Sequence, residues 1–284
     1  MFHVLTVHWQ DARWIEPQLR ALERNLDEYR VYASINGIDP SYHARFHFAE
    51  DLEGTHPNKL NRLAEIASET ADDDDLLLFL DGDAFPIAHV GVDVLGAMPL
   101  AAVRRDENMG QSQPHPCFCV TSVGFWRDIG GDWNRGYTWT ASDGEELTDV
   151  GGNLLGILRE RNIEWRPLVR SNRVNLDPLW FGVYDDLVYH HGAGFRPPVS
   201  FLQTQAGVAS VREAVSAARL PESMPLLGRA ERSLRYRIAR RQAARALEST
   251  TAEHAQISEE VFSWIREDPE FYRRFIEPDY RRGS

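Results

Sequence analysis

Asp81 and Asp83 stand one residue apart, with Gly82 between them, at the end of a fully apolar run, residues 76–80. Five large apolar residues in a row suit a central strand covered on both faces. The C-terminal end of such a strand is where open α/β sheets bind ligands. Two carboxylates placed there repel one another and are poorly hydrated, so the pair calls for a compensating cation. Oxygen ligands suit Mg²⁺ or Mn²⁺, with the remaining positions going to water and phosphate oxygens. Gly82 frees the backbone to turn and lets a ligand approach closely. The bland alternative is a strand-end turn carrying two exposed aspartates.

A second group is the segment His190-His191-Gly-Ala-Gly194-Phe-Arg196-Pro197. A neutral imidazole is a fitting third ligand for Mn²⁺. His190 and His191, which face opposite ways on a strand, are both candidates. Arg196 can grip phosphate bidentately. A third group lies in residues 139–152, where Asp143, Glu145, Glu146 and Asp149 precede a helical pattern. Acids at a helix start favour the dipole. Trp133, Tyr137 and Trp139 in the same region either stack on sugar faces or anchor the loop.

The elements that must position these groups alternate in type. Residues 3–7 and 30–35 read as strands, the second closed by the turn signal Asn36-Gly37. Between them Leu19, Leu22 and Leu26 share one helical face. A second helix begins near Pro57, in the first turn where its missing N–H costs nothing, and its apolar face is Leu60, Leu63, Ala64 and Ala67. Residues 101–104, 117–123 and 187–189 read as further strands, and Leu154, Leu155 and Leu158 as the body of a helix. Strand, helix, strand, helix, strand is the pattern of a parallel sheet covered by helices on both sides. Past about residue 205 the sequence turns Ala-, Arg- and Glu-rich, with helical stretches over 211–220, 230–247 and 257–275 and a flexible stretch near 220–228. This predicts two domains, 1–205 and a helical extension 206–284, the latter a possible homodimer surface.

A strand ending in Asp81-x-Asp83 near residue 80 resembles the metal-binding motif of GT-A glycosyltransferases. His56-Pro-Asn58-Lys59-Leu-Asn61 resembles that family's helix before the strand, whose polar residues help bind the nucleotide. The segment from His191 to Pro197 is similar to the His-x-x-Gly-x-x-Lys-Pro element of its retaining, glycogenin-like branch, with Arg196 one residue early in place of lysine. The resemblance covers roughly residues 1–200. It implies a Rossmann-like, mostly parallel α/β fold and a nucleotide-sugar donor, UDP- or GDP-linked. It also implies a glycan, lipid-linked or small-molecule acceptor, and Mn²⁺ or Mg²⁺ on Asp81, Asp83 and His191. The end of the first strand, Thr6 to Trp9 with His8, and that of the second, Ser34 to Gly37 with Asn36, would flank base and ribose; Asn58 and Asn61 would help bind the nucleotide, and Arg196 would meet the diphosphate. In inverting members an acid at the helix start takes the acceptor proton, a role that would fall to Asp149, with Glu146 in reserve. A haloacid-dehalogenase-like phosphatase also ends a strand in Asp-x-Asp, but near the N-terminus and with Thr or Val where Phe85 stands. A non-catalytic nucleotide-sugar or glycan-binding module would keep the aromatic residues without needing aspartates, histidine and arginine together.

Bulk properties narrow the partners. A hydrophobic content of 43% is enough for a real core, and a net charge of −12 argues against a nucleic-acid partner. No apolar stretch approaches the roughly 20 residues that a bilayer span needs. Cys117 and Cys119 would face opposite ways on a strand, which disfavours a mutual disulfide and fits a reducing cytoplasm.

Overall fold

A computed structural model describes residues 1–108, 110–140, 144, 146–199, 201–217 and 225–280. The chain opens β1 (Phe2–Trp9), α1 (Ile15–Asn25), β2 (Tyr29–Asn36), β3 (Phe48–Glu50) and α2 (His56–Ser68). Next come β4 (Leu76–Asp81), β5 (Ala84–Pro86), β6 (Leu100–Val103), β7 (His115–Ser122) and α3 (Val123–Ile129). Then follow β8 (Trp139–Thr140), β9 (Glu146–Leu147), α4 (Gly152–Glu160), β10 (Arg166–Leu168), β11 (Gly182–Tyr184) and β12 (Val188–His190). Three helices close the chain: α5 (Phe201–Ser216), α6 (Pro225–Glu267) and α7 (Arg273–Ile276).

Seven strands form the main sheet in the order β10-β6-β7-β4-β1-β2-β3. All neighbours pair in parallel except those of β7, which runs antiparallel to both β4 and β6. The fold is thus mixed α/β with a mostly parallel sheet. From β1 the chain builds outward through β2 and β3, then crosses back to place β4 on the other side. The crevice at the C-terminal ends of β1 and β4 is therefore a topological switch point, where such sheets bind ligands.

Alternation along β4 explains its unbroken apolar run. Leu76, Leu78 and Leu80 join Leu22 and Leu26 on one face, while Leu77 and Phe79 join Leu60, Leu63, Ala64 and Ala67 on the other. Both faces are covered, so each buried leucine contributes about 1.5–3 kcal/mol. Cys117 and Cys119 are both free and buried in β7.

By compactness the chain divides into Met1–Phe195 with the segment from Ile265 onward, and Arg196–Trp264. The expectation of one helical extension from 206 to the end therefore meets a different arrangement. In the second unit α5 starts ahead of the expected 211. Residues 218–224 lie outside the described residues, so most of the expected flexible stretch cannot be placed, but 225–228 are helical. The helix α6 then runs unbroken through the gap expected between 247 and 257. Nothing there breaks a helix: Thr250 and Thr251 turn their hydroxyls back onto the carbonyls of Ala246 and Leu247. Asp268-Pro269 then ends it, with the Asp268 carboxylate taking the Glu270 N–H.

The returning segment packs within the first unit. Phe271 sets its ring edge-on to Tyr189 at 4.8 Å, and Phe275 lies 5.5 Å from the same ring. The Phe275 carbonyl accepts the N–H groups of Arg173 and Val174 at 2.8 and 2.9 Å. Because Phe275 is fully buried, Phe275→Ala should lower the unfolding free energy by about 3–5 kcal/mol in urea titrations. A loss below about 1 kcal/mol would contradict this placement.

Candidate metal centre

The turn after β4 is held from beneath by one side chain. Gln18 of α1 donates its amide to the carbonyls of Asp81 and Ala84 at 2.8 and 3.1 Å. Its own oxygen lies 3.1 Å from the Thr6 hydroxyl, which donates to it, and 3.2 Å from His8 Nε2. Thr6 and His8 are fully buried and brace the turn from inside. Burial lowers the His8 pKa to about 4, against the opposing pull of Gln18 and Asp83. Gly82 is required by packing: a Cβ there would stand 2.6 Å from the Val7 carbonyl oxygen and 2.8 Å from His8 Nδ1.

Beyond the turn, β5 pairs antiparallel with β12 in the three-stranded sheet β11-β12-β5. The register sets His190 opposite Ala84 and Tyr189 opposite Phe85. His190 Nε2 thereby lies 3.6 Å from Asp81 Oδ2 and 3.5 Å from Asp83 Oδ1. The three donor atoms fall within 4.8 Å of one another. His191, the histidine expected at this point, lies on the opposite face with Tyr189. Its Nδ1 is 3.0 Å from the Tyr189 hydroxyl, and its ring packs 4.7 Å from Trp14 and 4.9 Å from Phe181. Strand alternation is the reason: Tyr189 belongs to the aromatic core, and the residue two further on goes with it.

The loop after β12 straps Asp83 in place. The backbone N–H of His191 donates to the Asp83 carbonyl at 3.0 Å, and that of Gly194 to Asp83 Oδ2 at 2.8 Å. Trp14 Nε1 holds the Gly194 carbonyl at 3.0 Å. A Cβ on Gly194 would lie 2.6 Å from Asp83 Cβ, so the strap admits only glycine.

Charge is distributed unevenly over this cluster. Burial pushes the Asp83 carboxyl up, but His190, His191 and the Gly194 N–H outweigh it and hold the group well below the usual carboxylate range. For Asp81 burial wins over His56 and His190, and its pKa is raised. Burial opposes the charged form of His190, yet Cys117 and Asp83 together push its pKa well up. On the far side of Asp81, His56 Nε2 stands 3.1 Å from Oδ1. Both atoms are buried without a hydrogen-bond partner. Two carboxylates, an imidazole and a buried carboxylate oxygen lacking a donor fit a hard divalent cation.

The other expected residues each make contacts within the protein. Asn36 is filled by Ser34, Lys59 and the Leu52 carbonyl. Asn58 accepts the Thr55 N–H, as a helix-capping residue does, and donates to Asn134. Asn61 ties α2 to Asp132 and the Trp133 N–H at 2.6 and 3.0 Å. Arg196 opens the second unit and donates to the Val199 carbonyl. Asp149 precedes α4 without capping it; its carboxylate meets Arg135 at 3.1 Å and the Val150 N–H at 2.9 Å. Glu146, on β9, accepts the Thr140 hydroxyl at 2.6 Å. Asp143 and Glu145 lie outside the described residues. Trp133 and Trp139 are buried, the first against Phe79 and Trp126, so neither offers a face to a sugar. Tyr137 carries Arg159 over its ring.

Trp9 and Lys59 were within the expected segments but not singled out. Trp9, at the C-terminal end of β1, is 44% exposed, and the Lys59 ammonium sits 4.6 Å from its ring centroid. Alternation along β1 carries the signal: if Thr6 and His8 face inward to α1, Trp9 faces the side of α2.

No protein-family model and no curated protein matches the chain. Among solved structures it is similar to the apo form of the glycosyltransferase GlyE in Streptococcus pneumoniae TIGR4. The identity is 15% over 58% of this chain and 44% of that one, with a TM-score of 0.38. The chain thus spans less than half the length of that protein. It is also similar to the galactosyltransferase LgtC in complex with donor and acceptor sugar analogs, at 14% identity over 78% of this chain and 99% of that one, with a TM-score of 0.37. Both are glycosyltransferases. At scores this low, the chemistry has to come from the residues themselves.

A divalent cation bound here would compete with the proton that Asp83 favours on His190. Affinity for a divalent cation should therefore fall as pH drops through the raised His190 pKa. Calorimetry in buffers of different ionisation enthalpy should show net proton release on binding. Binding with no proton release would contradict the assignment of charge.

Proposed function

We propose that the chain is a metal-dependent glycosyltransferase that moves a sugar from a nucleotide-diphosphate donor to an acceptor hydroxyl. The observation that carries this is the cluster of Asp81, Asp83 and His190 at the switch point of a mostly parallel sheet. These three residues would hold Mn²⁺ or Mg²⁺. When bound, the cation supplies a Lewis acid that offsets charge on the leaving diphosphate. Trp9 offers an exposed ring for the base, and Lys59 places a cation beside it. The Gln18 and Gly194 hydrogen bonds keep the two aspartates from relaxing apart, so little reorganisation is needed when the donor arrives.

For the acceptor, Asp149 is the proposed base, oriented by Arg135 and the Val150 N–H. An alcohol is a weak nucleophile until its proton is taken.

With purified protein and a panel of nucleotide sugars, Asp83→Ala should lower donor turnover at least about a hundredfold, the order expected for one strong transition-state stabiliser. Excess EDTA should abolish turnover, and full activity in EDTA would defeat the reading. Asp149→Asn should abolish transfer while leaving nucleotide and Mn²⁺ affinity nearly unchanged. An undiminished transfer rate in that variant would remove Asp149 as the base and turn attention to Glu146.

A further inference from the structure

The helix α6 carries a charge pattern that the site chemistry does not use. Between Arg229 and Arg245 there are seven arginines and one glutamate, in a chain whose net charge is −12. Leu234, Arg237, Ile238, Arg241 and Arg245 follow at the spacing of one helical face. On that face Leu234 is 59% exposed and Ile238 48% exposed, and Arg237, Arg241 and Arg245 are exposed too. The lone Glu231 pairs with Arg235, at 2.9 Å. Arg237 reaches only the Ser233 hydroxyl, at 3.4 Å. Among the described residues Arg237, Arg241 and Arg245 have no acidic partner.

We propose that this face of α6 docks the protein on an anionic lipid surface. Arginines interleaved with exposed Leu and Ile are what such a surface selects: the guanidinium groups meet headgroup phosphates while the apolar side chains enter the acyl boundary. The stripe from Leu234 to Arg245 runs about 17 Å along the axis, long enough to lie in the interface. No helix among the described residues is long and apolar enough to cross a membrane, so the contact is peripheral. A nucleic acid would match the charge but has no use for Leu234 and Ile238. A second copy set against the same face by a two-fold axis would oppose arginine with arginine.

The test is cosedimentation of the full chain with vesicles of phosphatidylcholine alone or mixed with phosphatidylglycerol. Binding is expected only to the mixed vesicles, and weaker as salt is added. The triple change Arg237→Gln, Arg241→Gln, Arg245→Gln should weaken it about a hundredfold. The double change Leu234→Ser, Ile238→Ser should weaken it at least about tenfold. All five positions are exposed, so far-UV dichroism should confirm that both variants stay helical. Failure of the protein to bind anionic vesicles would overturn the proposal. So would undiminished binding by the Leu234/Ile238 variant, or a preference for a DNA duplex over the vesicles.

Discussion

Pairing of β5 with β12 brings a histidine to two aspartates that would otherwise stand as poorly hydrated, mutually repelling charges at the end of β4. The side-chain period of a strand is two, so a slip of one residue would exchange His190 for His191. His190 would then turn into the aromatic core, and the cluster would lose the imidazole that now lies 3.6 and 3.5 Å from its carboxylates. Several features defend this register. Tyr189 is stacked on Phe85 at 6.0 Å and edged by Phe271. The Asp83 backbone carbonyl takes the His191 N–H, and Gly194 closes over the carboxylate. The returning C-terminal segment supplies Phe271 and Phe275 to the same packing, which ties the end of the chain to the geometry of its site.

Many of the polar residues near the site serve as its frame. Thr6, His8 and Gln18 form one hydrogen-bonded group under the turn, and Asn61, Asp132 and Asn153 form another beside α2. Buried donors and acceptors must find partners, and partners fixed this way hold coordinating side chains in orientation. Asn36, Asn58 and Asn61 each satisfy a neighbour in this frame.

The long-period signals were legible in the residues. The apolar run before Asp81, the helical face of Leu60, Leu63, Ala64 and Ala67, and the parallel alternation at the N-terminus all correspond to observed elements. So does the aspartate pair at the sheet's C-terminal edge. Contacts set by pairing were not legible. The strands β5, β11 and β12 have three residues each, too short to show a period, so nothing in the sequence ranked His190 above His191. Trp133 and Trp139 looked available because Gly-rich flanks suggest a loop, whereas the chain folds them inward. The antiparallel course of β7 and the return of the segment from Ile265 depend on tertiary packing, which local patterns do not encode.

Pulsed electron paramagnetic resonance of bound Mn²⁺ distinguishes directly which histidine meets the cation. The wild-type spectrum should carry modulation from a directly ligated imidazole nitrogen. His190→Gln should remove that modulation and weaken Mn²⁺ binding, while His191→Gln, with its fold intact, should retain it. Nitrogen modulation that survives in His190→Gln and disappears in His191→Gln would contradict the central claim.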